Sequence, residues 1–220
     1  GYLLIVVVVS NMAVIYTIGH SNNSLENFIA LLKKNGVDCV VDIRSVPASS
    51  HTPQFNQNSI KPFLKSYGVQ YLHLGKEFGA RRTDALIDGQ VNFEKAVRTQ
   101  AFLNGIKRLK TGIFKGYTIS LMCTEADPLA CHRFSLVSKY LFDNGFDVRH
   151  ILKDGTIKKH LDLEREMINI YLNKRPAKLP EIGEMFGTYT AVEQRDDAYR
   201  LKNKEIGYKP NEQYNQEEQL

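Results

Sequence analysis

The residues best suited to chemistry concentrate in one short segment, 121–133. From Cys123 to Arg133 it carries two thiols, an imidazole, two carboxylates and a guanidinium within eleven residues. An apolar run, Ile119 to Met122, precedes it, and apolar residues at helical spacing follow it. This pattern predicts a strand that ends in a polar loop and leads into a helix N-terminus. In α/β proteins, ligands are held at such places.

One chemistry that fits the segment is a cysteine-dependent anion loop. In outline the segment is similar to rhodanese and phosphatase loops, with Cys123 ending a strand and Arg133 opening a helix. It departs from them because nine residues, none of them glycine, separate these two positions. A cradle of backbone N–H groups usually needs glycines. Glu125 and Asp127 would also repel a buried anion. Cys123 is the candidate nucleophile, and Cys131 is interpreted as packing.

A metal site is the second possibility. Cys123, Cys131 and His132 offer zinc-ligand atoms, and His20 or His150 could add a fourth. The spacing matches neither a zinc ribbon nor a zinc knuckle. Adjacent residues on a helix point about 100° apart, which separates Cys131 from His132. The sequence therefore predicts no metal ligands and no tightly bound zinc.

The third possibility, and the leading one, is a nucleotide or nucleic-acid site. Arginines could contact phosphate, and Glu125 or Asp42 could accept from ribose hydroxyls. Glu125 with His132 or His20 could perform acid–base catalysis. A non-catalytic binding module is the alternative from another class. The candidate catalytic residues are Cys123, Glu125, His132 and His20; the candidate ligand-binding residues are Ser21, Asp42, Arg44, Ser45 and Arg133. No cofactor is identified.

Strand-like and helix-like segments alternate along the chain and would position these residues. The predicted strands are Val14–Gly19, Cys39–Ile43, Val69–Leu74, Tyr117–Met122 and Val148–Ile151. Gly36, Gly68 and Gly145 stand where the intervening helices should end. Such alternation is typical of parallel sheets. The predicted fold is three-layer α/β, Rossmann-like, with a mostly parallel five-stranded sheet and helices on both faces.

Several finer features are also predicted. Asn23 and Glu26 form a capping box for the first helix. Residues 75–90 form a long loop, and a helical region over 92–109 is broken near Gln100. A last amphipathic helix begins near Lys158. Because strand carboxyl ends share one edge in a parallel sheet, the candidate site residues should line one cleft there.

Four motifs in order resemble the domain-of-unknown-function 488 family. They are Tyr16-Thr17-Ile18-Gly19-His20-Ser21, Val41-Asp42-Ile43-Arg44-Ser45-Val46-Pro47, Tyr71-Leu72-His73-Leu74-Gly75 and the 121–133 segment. A weaker match is His150-Ile151 with Gly155 and His160. The resemblance covers about residues 13–171. It implies a fold but no activity, since the family name records that the function is unknown.

The amino-acid composition limits what kind of protein this is. The chain has 220 residues, of which 43% are hydrophobic and 24% charged, with a net charge of +5. This is an ordinary globular composition that permits a polyanionic partner without requiring one. The three cysteines are an odd number, which favours a reducing, cytoplasmic location over a disulfide framework. No membrane association is predicted, and the oligomeric state is undetermined.

The predicted domain organisation is a single α/β domain over residues 13–175 with two extensions. Residues 1–12 form an N-terminal extension. Met12 lies just before the first predicted strand, so residues 1–11 lie either upstream of a natural start or add an edge strand. The apolar run Leu3–Val9 is too short to span a bilayer. Residues 176–220 form a C-terminal extension rich in Pro, Asn, Gln and Glu, and they are predicted to be partly disordered.

Overall fold

A computed structural model describes residues 12–173 and 190–210. The strands are β1 Val14–Gly19, β2 Cys39–Asp42, β3 Gln70–His73, β4 Leu86–Ile87, β5 Gln90–Val91, β6 Ile119–Cys123, β7 Asp147–Ile151 and β8 Ile157–Lys159. The helices are α1 Leu25–Lys34, α2 Gln57–Ser66, α3 Gly75–Phe78, α4 Phe93–Ala96, α5 Gln100–Phe114, α6 Lys139–Asp143, α7 His160–Asn173 and α8 Ala191–Ile206. A π-helical segment, Arg133–Ser138, runs directly into α6.

Six strands form the central sheet in the order β3-β2-β6-β1-β7-β8. The five predicted strands are all present and pair in parallel, as expected. Strands β2 and β6 are buried along their whole length, which explains why they are almost continuous apolar runs. The sheet is one strand larger than predicted, because β8 pairs antiparallel with β7 at the edge.

Helices cover both faces of the sheet and give the predicted three layers. On one face, Phe28 of α1 and Leu64 of α2 pack against the sheet residue Val40. On the other, Phe102 of α5 and Leu141 of α6 belong to the larger core. Among the described residues, no helix combines the length and apolar character that crossing a membrane requires.

Two finer predictions need correction. Ser24, not Asn23, caps α1, because its hydroxyl accepts from the Asn27 N–H at 3.1 Å. The expected loop over 75–90 contains α3 and the β4–β5 hairpin. The hairpin turns at Asp88-Gly89, both with positive φ, as a type I′ turn requires. The last helix of the predicted domain begins at His160, within two residues of the predicted start near Lys158, and the short strand Ile157–Lys159 precedes it. The break near Gln100 is confirmed, as α5 begins there.

The C-terminal helix α8 packs on α7. Phe134, Met167 and Tyr199 share a small apolar cluster between them. Residues 1–11, 174–189 and 211–220 lie outside the described residues, and so do the predictions of an N-terminal extension and of disorder that fall on them. The domain boundaries stay a prediction.

Candidate functional site

The loops that follow β1, β2 and β6 are joined by backbone hydrogen bonds. The His20 and Ser21 N–H groups donate to the carbonyls of Cys123 and Thr124 at 2.9 and 2.8 Å. The Ile43 N–H donates to the Met122 carbonyl at 3.0 Å. The parallel register therefore brings the motif-bearing loops to one sheet edge. Within that edge the side chains form two groups, and no side-chain hydrogen bond joins them in the part of the chain that the structure describes.

The first group, which we call the ion-pair cluster, consists of His20, Asp42 and Arg44. Arg44 donates to Asp42 from Nε at 2.9 Å and from Nη2 at 2.6 Å, and both side chains are buried. Arg44 Nη2 also donates to the Phe55 carbonyl at 2.7 Å, and Tyr71 Oη donates to Asp42 at 2.7 Å. These bonds fix the loop after β2 and occupy most of the guanidinium.

His20 completes this cluster as a neutral imidazole. Its Nδ1 lies 2.9 Å from the Ser21 carbonyl, which can only accept, so Nδ1 carries the proton. Its Nε2, 3.2 Å from Arg44 Nη1, must then accept from the guanidinium. The ring stacks on Phe55 at 4.4 Å. Burial, together with the charge of Arg44, lowers the pKa of His20 to about 4. The Nε2 lone pair of His20 therefore already accepts a hydrogen bond from Arg44.

The second group, the thiol cluster, consists of Cys123, Cys131 and His132. His132 Nδ1 lies 3.8 Å from each of the two sulfur atoms, and the three atoms all lie within 4.8 Å of one another. All three residues are buried. His132 Nε2 faces the Ile43 carbonyl at 3.4 Å, so in the neutral imidazole the proton is on Nε2 and the Nδ1 lone pair faces the sulfurs.

The reason for separating Cys131 from His132 does not hold in the structure. Cys131 is not helical: its φ of −130° and ψ of 142° are extended, and His132 is the first residue with helical angles. The 100° helical offset between neighbours does not apply to this pair. Both side chains therefore reach the Cys123 thiol at the end of β6.

The two thiols differ in acidity. A hydrogen bond with Cys131 and burial raise the pKa of Cys123 well above its usual value. Burial opposes ionisation of Cys131 too, but the Cys123 hydrogen bond and the charges of Arg133 and His132 outweigh it, and the pKa of Cys131 lies well below normal. Burial lowers the pKa of His132, but the Cys131 charge reverses this and raises it. Cys131, interpreted from sequence as packing, is thus the more acidic thiol.

Arg133 is fully buried beside the thiol cluster and holds its loop. It donates to the carbonyls of Glu125 at 2.5 Å and Ala126 at 3.0 Å, while its backbone N–H donates to Cys131 Sγ at 3.3 Å. Its Nε has no partner among the described residues. Gly19 permits this approach, since a Cβ there would lie 1.8 Å from the Glu125 carbonyl oxygen. The Arg133 side chain therefore serves the loop geometry.

Glu125 is the exposed member of the segment. The residue as a whole is exposed, but its carboxyl group interacts electrostatically with the Cys131 and Cys123 thiols. Burial of the carboxyl on that side, and then the neighbouring Cys131, raise its pKa. Glu125 therefore connects the buried sulfurs with the surface.

The two serines predicted to bind ligand have local roles. Ser45 Oγ accepts from the Arg81 backbone N–H at 2.9 Å and so joins the loop after β2 to the 75–90 region. Ser21 is half-buried and has a positive φ of 46°, and its hydroxyl is 3.5 Å from Asn22 Oδ1.

Sequence reasoning missed a buried chain of polar side chains that reaches α8. Tyr199 Oη donates to Glu164 at 2.7 Å, so His160 Nε2, 3.0 Å away, donates to Tyr199. His160 Nδ1 then accepts from His150 Nε2 at 3.2 Å, and Thr17 donates to His150 Nδ1 at 2.7 Å. Burial lowers the pKa of His160 to about 3, consistent with two neutral rings. The His150 and His160 spacing was visible in the sequence, but their α8 partner was not.

A cavity of about 670 Å³ lies apart from these clusters, between α4, the π-helical segment, α6 and α8. Ser135 lines it, and its buried hydroxyl has no partner among the described residues. The lining contains none of the predicted site residues. The residues predicted to line a cleft at the sheet edge therefore do not line this cavity.

Comparison with known proteins assigns the chain to a family without assigning an activity. No curated protein and no solved structure matches it. The family model described as "Domain of unknown function DUF488" matches residues 24–141, more than half of the chain. The match includes the thiol cluster, Asp42 and Arg44. It does not include His20 or the hydrogen-bonded side chains of Thr17, His150, His160 and Tyr199. The parallel sheet, the joined edge loops and this match together show that the protein belongs to the DUF488 family.

Proposed function

We propose that the protein is an enzyme that acts at the thiol cluster, with Glu125 as the group that contacts the substrate and transfers a proton. The observation that carries the proposal is the position of Glu125: it follows the buried strand β6 by two residues, is exposed, and its carboxyl group interacts electrostatically with the two buried thiols. A carboxylate held between solvent and a buried polar cluster is suited to general acid–base chemistry.

The proposed substrate class is a nucleotide or nucleic acid. The net charge of +5 supports an anionic ligand. Arg44 and Arg133 support it less than expected, because both guanidinium groups are buried and engaged within the protein. Arg82 is also buried and bonded to Asp84. Arg81 is the better phosphate candidate, since it is exposed and its backbone meets Ser45 at the sheet edge.

The experiment begins with a thermal-shift screen of nucleotides and oligonucleotides. On any hit, binding and turnover are measured for wild type, Glu125→Gln and Arg81→Ala. Glu125→Gln should spare binding and abolish turnover, and Arg81→Ala should weaken binding by about 1.5–3 kcal/mol. Glu166→Gln and Arg165→Ala are matched controls on the exposed surface of α7. If no such ligand stabilises the protein, the nucleotide proposal is wrong.

Two alternative functions predict different outcomes of these binding and turnover measurements. A binding module would show a ligand without turnover, and Glu125→Gln would change little. Cysteine-dependent chemistry of the rhodanese type is favoured by one observation, the 3.3 Å hydrogen bond from the Arg133 N–H to Cys131 Sγ. In that case Cys131→Ser would abolish turnover and Glu125→Gln would retain part of it. The cytoplasmic location remains a prediction.

A further inference from the structure

We propose that Cys123, Cys131 and His132 bind one divalent metal ion of the zinc class. The proposal concerns the thiol cluster but does not depend on the activity proposed above. It reverses the expectation drawn from sequence, which assumed that Cys131 and His132 both lie on a helix. The chemistry of the donors is suitable, because two thiolates and a neutral imidazole are the preferred partners of zinc.

The distances are close to those that a tetrahedral ion requires. Zinc lies about 2.3 Å from sulfur and about 2.0–2.1 Å from nitrogen, so a tetrahedral angle separates the two donors by about 3.6 Å. His132 Nδ1 is 3.8 Å from Cys123 Sγ and 3.8 Å from Cys131 Sγ. The sulfur–sulfur separation is at most 4.8 Å. Side-chain shifts of a few tenths of an ångström would bring the two sulfur–nitrogen distances to the ideal value.

The surroundings orient the donors as outer-shell groups do in metal sites. A metal-bound histidine usually donates its other N–H to a carbonyl or carboxylate. His132 Nε2 faces the Ile43 carbonyl at 3.4 Å, which leaves Nδ1 to bind the ion. The Arg133 N–H donates to Cys131 Sγ at 3.3 Å, which supports a sulfur that carries negative charge. Both contacts come from backbone that strand β2 and the π-helical segment hold in place.

The cluster has weak internal bonding without an ion. Among the residues that the structure describes, the Nδ1 atom of the buried His132 has only two sulfur contacts, both at 3.8 Å. Buried polar groups normally make stronger hydrogen bonds than this. A divalent ion would satisfy Nδ1 and both sulfurs at once, and two thiolates would balance its charge. The three donors of the cluster leave the fourth position of a tetrahedral ion open. Three protein donors and one further position are the arrangement of catalytic zinc sites.

Cobalt titration of the reduced 220-residue chain tests the proposal. After removal of bound metal with a chelator, Co²⁺ should bind at one ion per chain. It should give the strong visible bands of a tetrahedral site and charge-transfer absorption from two thiolates, and Zn²⁺ should displace it. Cys123→Ser, Cys131→Ser and His132→Gln should each weaken binding by more than the ~10–100-fold that loss of an outer-shell partner causes. Cys39→Ser should bind as wild type does, since Cys39 lies at the start of β2.

The wild-type spectrum decides the question even if a variant fails to fold, because the charge-transfer intensity reports the number of thiolates. The proposal is wrong if wild type binds no Co²⁺ at micromolar concentration, if the spectrum shows no thiolate ligand, or if Cys39→Ser loses binding while Cys123→Ser keeps it. No substrate is needed for these measurements. A protein that binds metal but has no turnover would refute the enzyme proposal only, and an active metal-free protein would refute this one only.

Discussion

Arg44 and Arg133 are both buried at the carboxyl edge of the sheet, yet their partners differ in kind. Arg44 meets the Asp42 carboxylate through two nitrogens, and Asp42 receives a further bond from Tyr71. Arg133 has no carboxylate partner among the described residues, and its side chain donates to two loop carbonyls while Nε makes no bond. One guanidinium is paired with a carboxylate, and the other has no carboxylate partner in the described part of the chain.

The same contrast extends to the two clusters. In the ion-pair cluster, His20 and the Asp42–Arg44 pair satisfy one another, which is the behaviour of a structural element. In the thiol cluster, the imidazole Nδ1 lies 3.8 Å from each sulfur, and Glu125 in the same loop is exposed. Polar residues at a sheet edge thus do not all belong to one reacting site, and the chemistry is expected at the cluster whose bonding capacity is unfilled.

The largest expected effect is that of Arg44→Met. It leaves the Asp42 carboxylate buried without its cation, and breaking a buried pair in this way costs about 3–5 kcal/mol. The free energy of unfolding from urea titration measures it. Arg149→Met is the control, because the Arg149–Asp147 pair is partly exposed and should contribute about 1 kcal/mol or less. Equal effects of the two variants would show that the ion-pair cluster is not structural.

A smaller loss of stability is expected for Arg133→Met, although Arg133 is the more buried residue. It leaves two loop carbonyls without donors, at up to about 1–3 kcal/mol each, and this cost is partly offset because the substitution removes a buried charge that has no carboxylate partner among the described residues. Urea unfolding under the same conditions as Arg44→Met gives the comparison. A loss as large as that of Arg44→Met would indicate that Arg133 has an anionic partner in solution.

The strands of the sheet were largely predictable from the sequence. The side-chain partners of the polar residues at its carboxyl edge were not. Buried apolar runs between glycine stops identify parallel strands directly, as in β2 and β6. Strand β8 was missed because three residues with one apolar side chain carry no usable pattern. The Asp88-Gly89 hairpin signal was present but was interpreted as part of a loop.

The site depends on details finer than sequence patterns resolve. Helix boundaries are uncertain by one or two residues, and here one residue decides whether Cys131 is extended or helical. The Asp42–Arg44 pair could equally have bound a ligand, since the sequence does not show that Tyr71 and Phe55 would enclose it. Long-range packing, not local pattern, separates the two clusters.

Gly19→Ala tests whether the thiol loop depends on close backbone approach. The new Cβ would lie 1.8 Å from the Glu125 carbonyl oxygen, so the loop must move, and such overpacking costs about 1–3 kcal/mol. Thermal or urea unfolding measures the change. Gly112→Ala is the control in α5, where the Cβ meets only the end of the Ile119 side chain at 3.1 Å. If Gly19→Ala is no more destabilising than Gly112→Ala, the loop is not held as described.

The smallest expected effect is the dependence of stability on pH that His20 of the ion-pair cluster contributes. The pKa of His20 is about 4 in the folded protein because the ring is buried, against about 6.5 when unfolded. Between these values the unfolded chain binds more protons at His20, so stability falls as pH falls through this window. The slope is at most about 1.4 kcal/mol per pH unit, or about 1 kcal/mol from pH 6.5 to 5.5. Below about pH 4 the contribution of His20 levels off, since both states are then protonated.

Urea midpoints at several pH values for wild type and His20→Gln isolate this contribution. The neutral amide should flatten the slope in that window, while the buried His150 and His160 continue to give a fall of the same sign in both proteins. The His20 resonances in NMR should remain those of the neutral ring down to about pH 4. Titration of His20 near pH 6.5 would mean that Arg44 does not hold the ring as an acceptor. The ion-pair cluster would then be open to ligands, and its contrast with the thiol cluster would be lost.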